Sequence, residues 1–440
     1  MKRNILYIHT HDSGRYLEPY GVNVKTPNIM RLAREGTLFR NVHCAAPTCS
    51  PSRVGLLSGM APHSSNMLGL AQRGFQMDDY GKHLAVYLKK QGYHTCLSGV
   101  QHEAPEAGMI GYDEVYEADC EESDFMGRDK GACGHASDFL KTYKGDKPFF
   151  LSVGFIHTHR AYPEDAEDYF NPDYVTPPFT VADTKENRKD MAAYMRSAQI
   201  ADECVGEVLT ALEKSGMEEN TIIIFTTDHG IAFPFMKCNC YDTGTGVSLI
   251  MKYKGNPAAG KACDSLLSHI DVFPTLCEMN GLEKPDYLQG KSFAGIFVKP
   301  ELEINDEVFS EVTYHAAYEP MRCIRTKRHK LIRYYDFHDG HVPANIDESS
   351  CKTLLIDSGL LRKSRAREML FDLYIDPAER ENLIGNPDYK DVYTDLRLRL
   401  ENWMEETGDP LLSVSYRVSK PEGAYVNRLE DLDPGCLLRE

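Results

Sequence analysis

The sequence predicts an α/β protein: a large, mostly parallel sheet flanked by helices, followed by a smaller C-terminal antiparallel-sheet subdomain. Three observations carry this. Short apolar runs alternate with helix-period segments through the first three quarters of the chain. Residues able to do chemistry cluster just after those runs, where ligands gather in parallel α/β sheets. From about residue 320 the pattern changes to alternating strands across basic turns. At 440 residues the chain exceeds what one core usually supports, so residues 1–318 are expected as the larger α/β domain and 319–440 as an α+β subdomain.

Residues 5–8 read as the first strand and 27–35 as a helix with Pro27 at its start. A second helix is expected to begin near residues 52–57, after a small-residue turn. Residues 84–91 read as a helix leading into a strand at 95–97, and 149–153 as another strand. Residues 187–214 carry apolar side chains at helical spacing, with Gly216 as the stop, and 221–226 form a buried strand. Beyond residue 320, a hairpin is expected from 321–325 and 330–335, then a strand near 369–373 and a helix near 389–405. No segment repeats and none is of low complexity.

Composition removes several classes. The net charge of -17 argues against nucleic acid or an anionic membrane as the main partner. No run is long and apolar enough to span a bilayer. The start, Met1 to Ile8, is interrupted by His9, His11 and Asp12 before any cleavage-type site, so a first strand and a cytoplasmic location are expected. Thirteen cysteines, an odd number without a repeating framework, indicate reduced thiols. Cys238 and Cys240 lack a second pair at zinc-finger spacing and read as incidental thiols.

The most informative stretch is Cys49-Ser50-Pro51-Ser52-Arg53 with Leu57-Ser58-Gly59. It places a cysteine at a helix start, where the dipole favours an anion. This stretch resembles the type I sulfatase signature, in which maturation converts the cysteine to formylglycine. Further segments match in order: Asn4 to Asp12, Thr26-Pro27-Asn28, Asp228-His229-Gly230, His269 to Leu276, Leu288 to Ser292, and Leu370 to Leu383. Within the family, Met67 to Leu70, Phe155 to Arg160, Phe233 to Asn239 and Glu311 to Arg322 look closest to the heparan N-sulfatase (sulfamidase)-like branch.

The resemblance implies an alkaline-phosphatase-like fold and a sulfuric ester hydrolase acting on a small sulfated substrate, an N- or O-sulfated sugar. In that family hydrated formylglycine is a geminal diol. One hydroxyl attacks sulfur, and deprotonation of the other expels sulfate and restores the aldehyde. Carried over by position, Cys49 is the precursor and Arg53, one helical turn on, steadies it. His102 handles the diol proton, His159 contacts sulfate and protonates the leaving group, and Lys237 binds sulfate. His157 competes locally with His159 for its role.

The implied divalent-metal ligands are His11, Asp12, Asp228 and His229, with the modified Cys49 completing the shell. Calcium is the family default. His11 and His229 replace the more usual oxygen ligands, which brings manganese, magnesium or zinc into range. Val100 stands where the family's Gly-Lys-x-His motif has its lysine. Tyr314, His315 and Arg322 are expected to line the substrate pocket, with Arg322 pairing a sugar carboxylate or lying on a surface strand. A formylglycine-generating maturation enzyme is an implied partner. Two other readings stay open: a phosphodiesterase or phosphonate monoester hydrolase of the same superfamily, and a non-catalytic binder of sulfated ligands.

Overall fold

The computed structural model describes residues 2–118, 121, 123–413, 417–433 and 435. Nine strands form the large sheet: β1 (Asn4–Thr10), β2 (Thr37–His43), β3 (His94–Gly99), β4 (Glu114–Tyr116), β5 (Phe149–Gly154), β6 (Thr221–Thr227), β7 (Gly246–Lys252), β8 (Lys261–Cys263) and β9 (Leu267–Ser268). Their order is β4-β3-β5-β1-β6-β7-β2-β8, with β9 also on β2. Only β7 runs against its neighbours, β6 and β2.

Strand β1 is buried along its whole length, and its residues divide by the two-residue period of a strand. Leu6 and Ile8 enter one apolar cluster; Ile5 and Tyr7 enter another on the opposite face. Helices α1 (Pro27–Glu35), α4 (Phe125–Thr142) and α6 (Lys185–Ser215) cover the first face. Helices α2 (Cys49–Ser58), α3 (Leu84–Lys90) and α8 (Val272–Met279) cover the second. Full burial of each Leu, Ile or Phe contributes about 1.5–3 kcal/mol, so a strand apolar on both faces belongs at the centre.

Two short helices complete this part, α5 (Ala166–Tyr169) and α7 (Asp242–Thr245). The long α6 opens on Thr184, whose side chain accepts from the Asn187 amide, and closes on Gly216 at φ 76°. Asp202 within it accepts from the Asn28 and Ile29 amides at 3.1 and 2.8 Å. It thereby caps α1, whose own N-cap Thr26 makes no capping bond with its side chain.

The second sheet is antiparallel in chain order: β10 (Glu307–Tyr314), β11 (Tyr318–Thr326), β12 (His329–Tyr334) and β13 (Glu368–Asp372). Helix α9 (Ser350–Asp357) lies in the β12–β13 connection, and α10 (Lys390–Thr407) packs Leu396, Leu400 and Met404 against Ile324, Leu331 and Leu370. This sheet begins at Glu307, ahead of the boundary expected between residues 318 and 319, because β10 pairs with β11. Its core also takes in Val54, Met67, Leu68 and Phe75 from the first part of the chain.

Register decides where the chemistry falls. Thr10 sits opposite Thr227, His9 opposite Gly154, and Gly154 opposite Gly99. Strands β1, β3, β5 and β6 therefore release their chains at one sheet edge. Gly99, at φ 87°, and Gly154 let these exits crowd together: a Cβ on Gly154 would lie 2.0 Å from the Val100 carbonyl. No helix among the described residues is long and apolar enough to cross a membrane. Every cysteine among them is a buried free thiol.

Candidate active site

The exit of β1 presents His11 and Asp12, and the exit of β6 presents Asp228 and His229. Asp228 organises the junction. Its Oδ1 accepts from the Asp12 and His229 amides at 2.8 and 2.9 Å. Its Oδ2 takes the Arg53 guanidinium at 2.9 Å and lies 3.3 Å from His11 Nδ1. Burial opposes the charge on Asp228, but His229, Arg53 and His11 outweigh it and hold the carboxyl well below its usual range.

Cys49 opens α2, all ten residues of which are buried. Its Sγ lies 3.4 Å from His229 Nε2. The His229 ring is set by its other nitrogen, which faces the Gly230 carbonyl at 3.0 Å and so carries a proton there. Nε2 faces Cys49 Sγ and lies 3.4 Å from Asp12 Oδ1. Burial pushes the Cys49 thiol up, with Lys237 opposing only in part. As an S–H group it is a poor nucleophile. Arg53, one turn along α2, also donates to the Thr10 carbonyl at 3.2 Å and to His9 Nδ1, fixing α2 against β1.

Several buried atoms here have no hydrogen-bond partner among the described residues: both His11 ring nitrogens, Asp12 Oδ1 and His102 Nδ1. Each such atom costs about 1–3 kcal/mol unless something pairs with it. Ligand atoms of His11, Asp12, Cys49 and Asp228 lie within 4.8 Å of one another. Imidazole nitrogens beside two carboxylates form a donor set that fits a divalent cation.

Lys237 reaches the same centre from the loop after β6. Its Nζ lies 2.9 Å from Asp12 Oδ2 and 3.1 Å from Asp347 Oδ2. Burial works against its charge, but the two carboxylates prevail and keep its pKa well above the ordinary lysine value. His102 and His159 flank His11 edge-on, with ring centroids 4.7 and 5.4 Å away. Burial lowers both: His102 falls well below the usual histidine range, and His159, beside Lys237, to about 4.

His157, the neighbour competing with His159, turns away from this centre. Its Nδ1 pairs with the fully buried Asp129 of α4 at 2.7 Å. Asp129 also accepts from the Ile156 and His157 amides, which pins the loop carrying His159. Val100 is buried, so no cation stands at that position.

The residues expected to line a substrate pocket separate. His315 is 6% exposed, and its Nδ1 is another buried atom without a partner. Tyr314 is a core residue instead: its ring packs on Phe75 and Tyr318, and its hydroxyl donates to the Val418 carbonyl. Arg322 is fully buried and does not line the pocket. Its Nε and Nη2 grip Asp409 at 2.5 and 3.0 Å, and Nη1 donates to the Val312 and Met321 carbonyls. A guanidinium with those bonds filled has none left for a sugar carboxylate. Asp347 joins the centre without having been expected. It lies in a connection without periodic pattern, and only the pairing of distant segments brings it there.

A family model described as Sulfatase matches residues 3–282, and one described as N-sulphoglucosamine sulphohydrolase, C-terminal, matches residues 229–346. The chain belongs to the sulfatase family and is a sulfatase. Among curated relatives, human N-sulphoglucosamine sulphohydrolase is 28% identical, over 99% of this chain and 94% of its own length. An ulvan-active sulfatase of Formosa agariphila is 26% identical, over 97% of this chain and 77% of its own. The solved structure of a 2-O GAG sulfatase superposes with a TM-score of 0.72 at 21% identity, covering 96% of each chain, a likeness of fold.

Proposed function

We propose that this sulfatase releases sulfate from a small N- or O-sulfated sugar, with residue 49 as nucleophile once converted to formylglycine. The observation that carries the reading is the meeting of Cys49, Lys237 and the unpaired atoms of His11 and Asp12 at the start of α2. The family match and the sulfated-sugar substrates in the relatives' names support it. An unconverted Cys49, protonated and buried, is ill suited to attack sulfur.

In this reading His11, Asp12, Asp228 and His229 hold a divalent cation beside residue 49. When bound, such an ion polarises a sulfate oxygen and lowers the pKa of a hydroxyl close to it. Calcium is the expected ion, and the two imidazoles also bring manganese, magnesium or zinc into range.

The chain's own groups divide the remaining work. Lys237, held charged by Asp12 and Asp347, neutralises a sulfate oxygen. Arg53 keeps Asp228 ionised and α2 in place. His102, kept neutral by burial, is ready to accept the proton of the attacking hydroxyl. His159 is neutral in the free site, and an incoming sulfate favours its protonated form, which can then protonate the leaving oxygen or nitrogen.

The test is peptide mass spectrometry of Cys49 from a host with a maturation system, coupled to sulfate release from N- and O-sulfated glucosamine. A loss of about 18 mass units together with turnover is expected, and Cys49→Ala should lower turnover at least ~1000-fold. Preference for an aryl phosphonate over every sulfate ester would overturn the reading.

A further inference from the structure

The buried atoms without partners around Lys237 fall into two sets. His11 and Asp12 Oδ1 belong to the cation-binding centre. His315 Nδ1 does not, and neither does Asp347 Oδ2, which makes an ion pair with Lys237 but no well-aligned hydrogen bond; both come from the small-sheet side, and His315 takes no part in the chemistry above. Asp347 nevertheless sits 3.1 Å from Lys237, and its side chain is 18% exposed, so solvent and ligand can reach it. A carboxylate beside a sulfate-binding lysine weakens the pull on any generic anion. Its presence calls for a compensating role.

The backbone segments that present the two side chains are tied together before any ligand arrives. His315 lies in the β10–β11 turn, where its amide donates to the Ala317 carbonyl at 3.1 Å. The Ala317 amide donates to Asn345 Oδ1 at 2.9 Å, and Asn345 Nδ2 donates to Glu319 Oε2 at 2.9 Å. Asn345 thus ties the segment presenting Asp347 to the turn presenting His315. Asp347 can only accept hydrogen bonds, while a neutral imidazole donates one and accepts one. Such a pair suits hydroxyl or ammonium protons and repels a carboxylate or second sulfate.

Two guanidiniums, Arg322 and Arg160, are already paired and are closed to a uronate. Arg322 is taken by Asp409, and Arg160 grips both oxygens of Asp190 at 2.7 and 2.6 Å.

We propose that Asp347 and His315 form a specificity subsite that accepts hydroxyl or ammonium protons of an amino sugar beside the sulfate and turns away a second anionic substituent. The inference rests on the sulfated-sugar reading above. Charge states agree with it. Burial opposes ionisation of Asp347, but Lys237 outweighs it and lowers the carboxyl's pKa. Burial and then Lys237 push His315 down to about 3, leaving its ring neutral.

The experiment uses full-length enzyme with Cys49 conversion verified by mass spectrometry, and measures sulfate release from N-sulfoglucosamine, glucosamine 6-sulfate and an unsaturated hexuronate 2-sulfate. The wild-type protein should favour a glucosamine sulfate over the hexuronate sulfate by about 100-fold or more in kcat/KM. Asp347→Asn should narrow that ratio by about tenfold, chiefly through a raised KM for the glucosamine substrate, and Asp347→Glu should restore part of it. Equal or preferred turnover of the hexuronate sulfate by the wild type overturns the proposal without touching the sulfatase reading. So does an equal loss on both substrates in Asp347→Asn, which would make Asp347 a counter-ion of Lys237 and nothing more. If converted enzyme releases sulfate from none of the three, the sulfated-sugar reading falls and this subsite with it.

Discussion

Between the two sheets, His63, Glu311, Arg322 and Asp409 bury four ionisable groups that satisfy one another. At the carboxyl edge of the large sheet, His11, Asp12, Asp228 and Lys237 bury as many and leave several atoms unmatched. In the first cluster His63 pairs with Glu311 through Nδ1 and with Thr407 Oγ1 through Nε2 at 2.8 Å, while Arg322 is bonded on every nitrogen. Both clusters contain histidine and two carboxylates, the ingredients of a metal site. Only the one at the strand ends has lone pairs to spare. The contrast teaches that residue types alone do not mark a site; the unsatisfied atom does.

The sharpest way to break the comparison is to open the closed cluster. Asp409→Asn should cost about 3 kcal/mol, because buried Arg322 would lose its two-point partner and keep only Glu311, 3.4 Å from its Nε; denaturant unfolding checks this. A loss within about 0.5 kcal/mol would mean that the junction is not closed as described. Next comes the open cluster, where chelation of a bound cation should lower the unfolding free energy by about 3 kcal/mol, the amount lost when a ligand at roughly a hundredfold its Kd is withdrawn. His11→Ala should abolish that difference, and Asp409→Asn should retain it.

The neighbouring histidines repeat the contrast on a smaller scale. His159→Asn should slow turnover by about 100-fold with little change in unfolding. His157→Ala should instead lower stability by about 1–3 kcal/mol, since the buried Asp129 loses its imidazole partner and keeps only two amides. The reverse pattern would assign the acid role to His157.

The smallest expected effect concerns Glu319, which holds the Asn345 clamp. Burial raises its carboxyl from an ordinary 4.5 to about 7, against the pull of Arg365. The protonated form is favoured in the fold, so its contribution is complete below 4.5 and gone above about 7. Unfolding free energy measured between pH 5 and 8 should therefore fall about 2 kcal/mol further in the wild type than in Glu319→Gln.

Much of the fold was legible because β1, β5 and β6 are apolar on both faces, β1 and β6 end in polar residues, and α6 has a strong helical period with a clear glycine stop. Cys49 was placed at a helix start by its small-residue turn. What escaped were elements without a local signature. Helix α4 carries Gly127, Gly131 and Gly134 and lacks a clean apolar stripe, so Asp129 and its hold on His157 were not foreseen. Arg322 looked like a surface or pocket cation because its partner, Asp409, stands 87 residues away. Asp347 escaped for the same reason. Its position beside Lys237 depends on Asn345 reaching across to Ala317 and Glu319, a juxtaposition that no window of sequence displays.

The burial of α2 also fixes an order of events. Cys49 is 3% exposed, and every residue of its helix is enclosed between the large sheet and the segments packed over it. A second enzyme that must close its own active site around this side chain needs several extended residues on either side, and the finished fold offers none. If formylglycine is made here, it is made while residues 49–58 are still accessible, before the sheet is covered. On that condition a chain that folds unconverted stays inactive, and the fraction of active molecules becomes a record of a race between modification and folding.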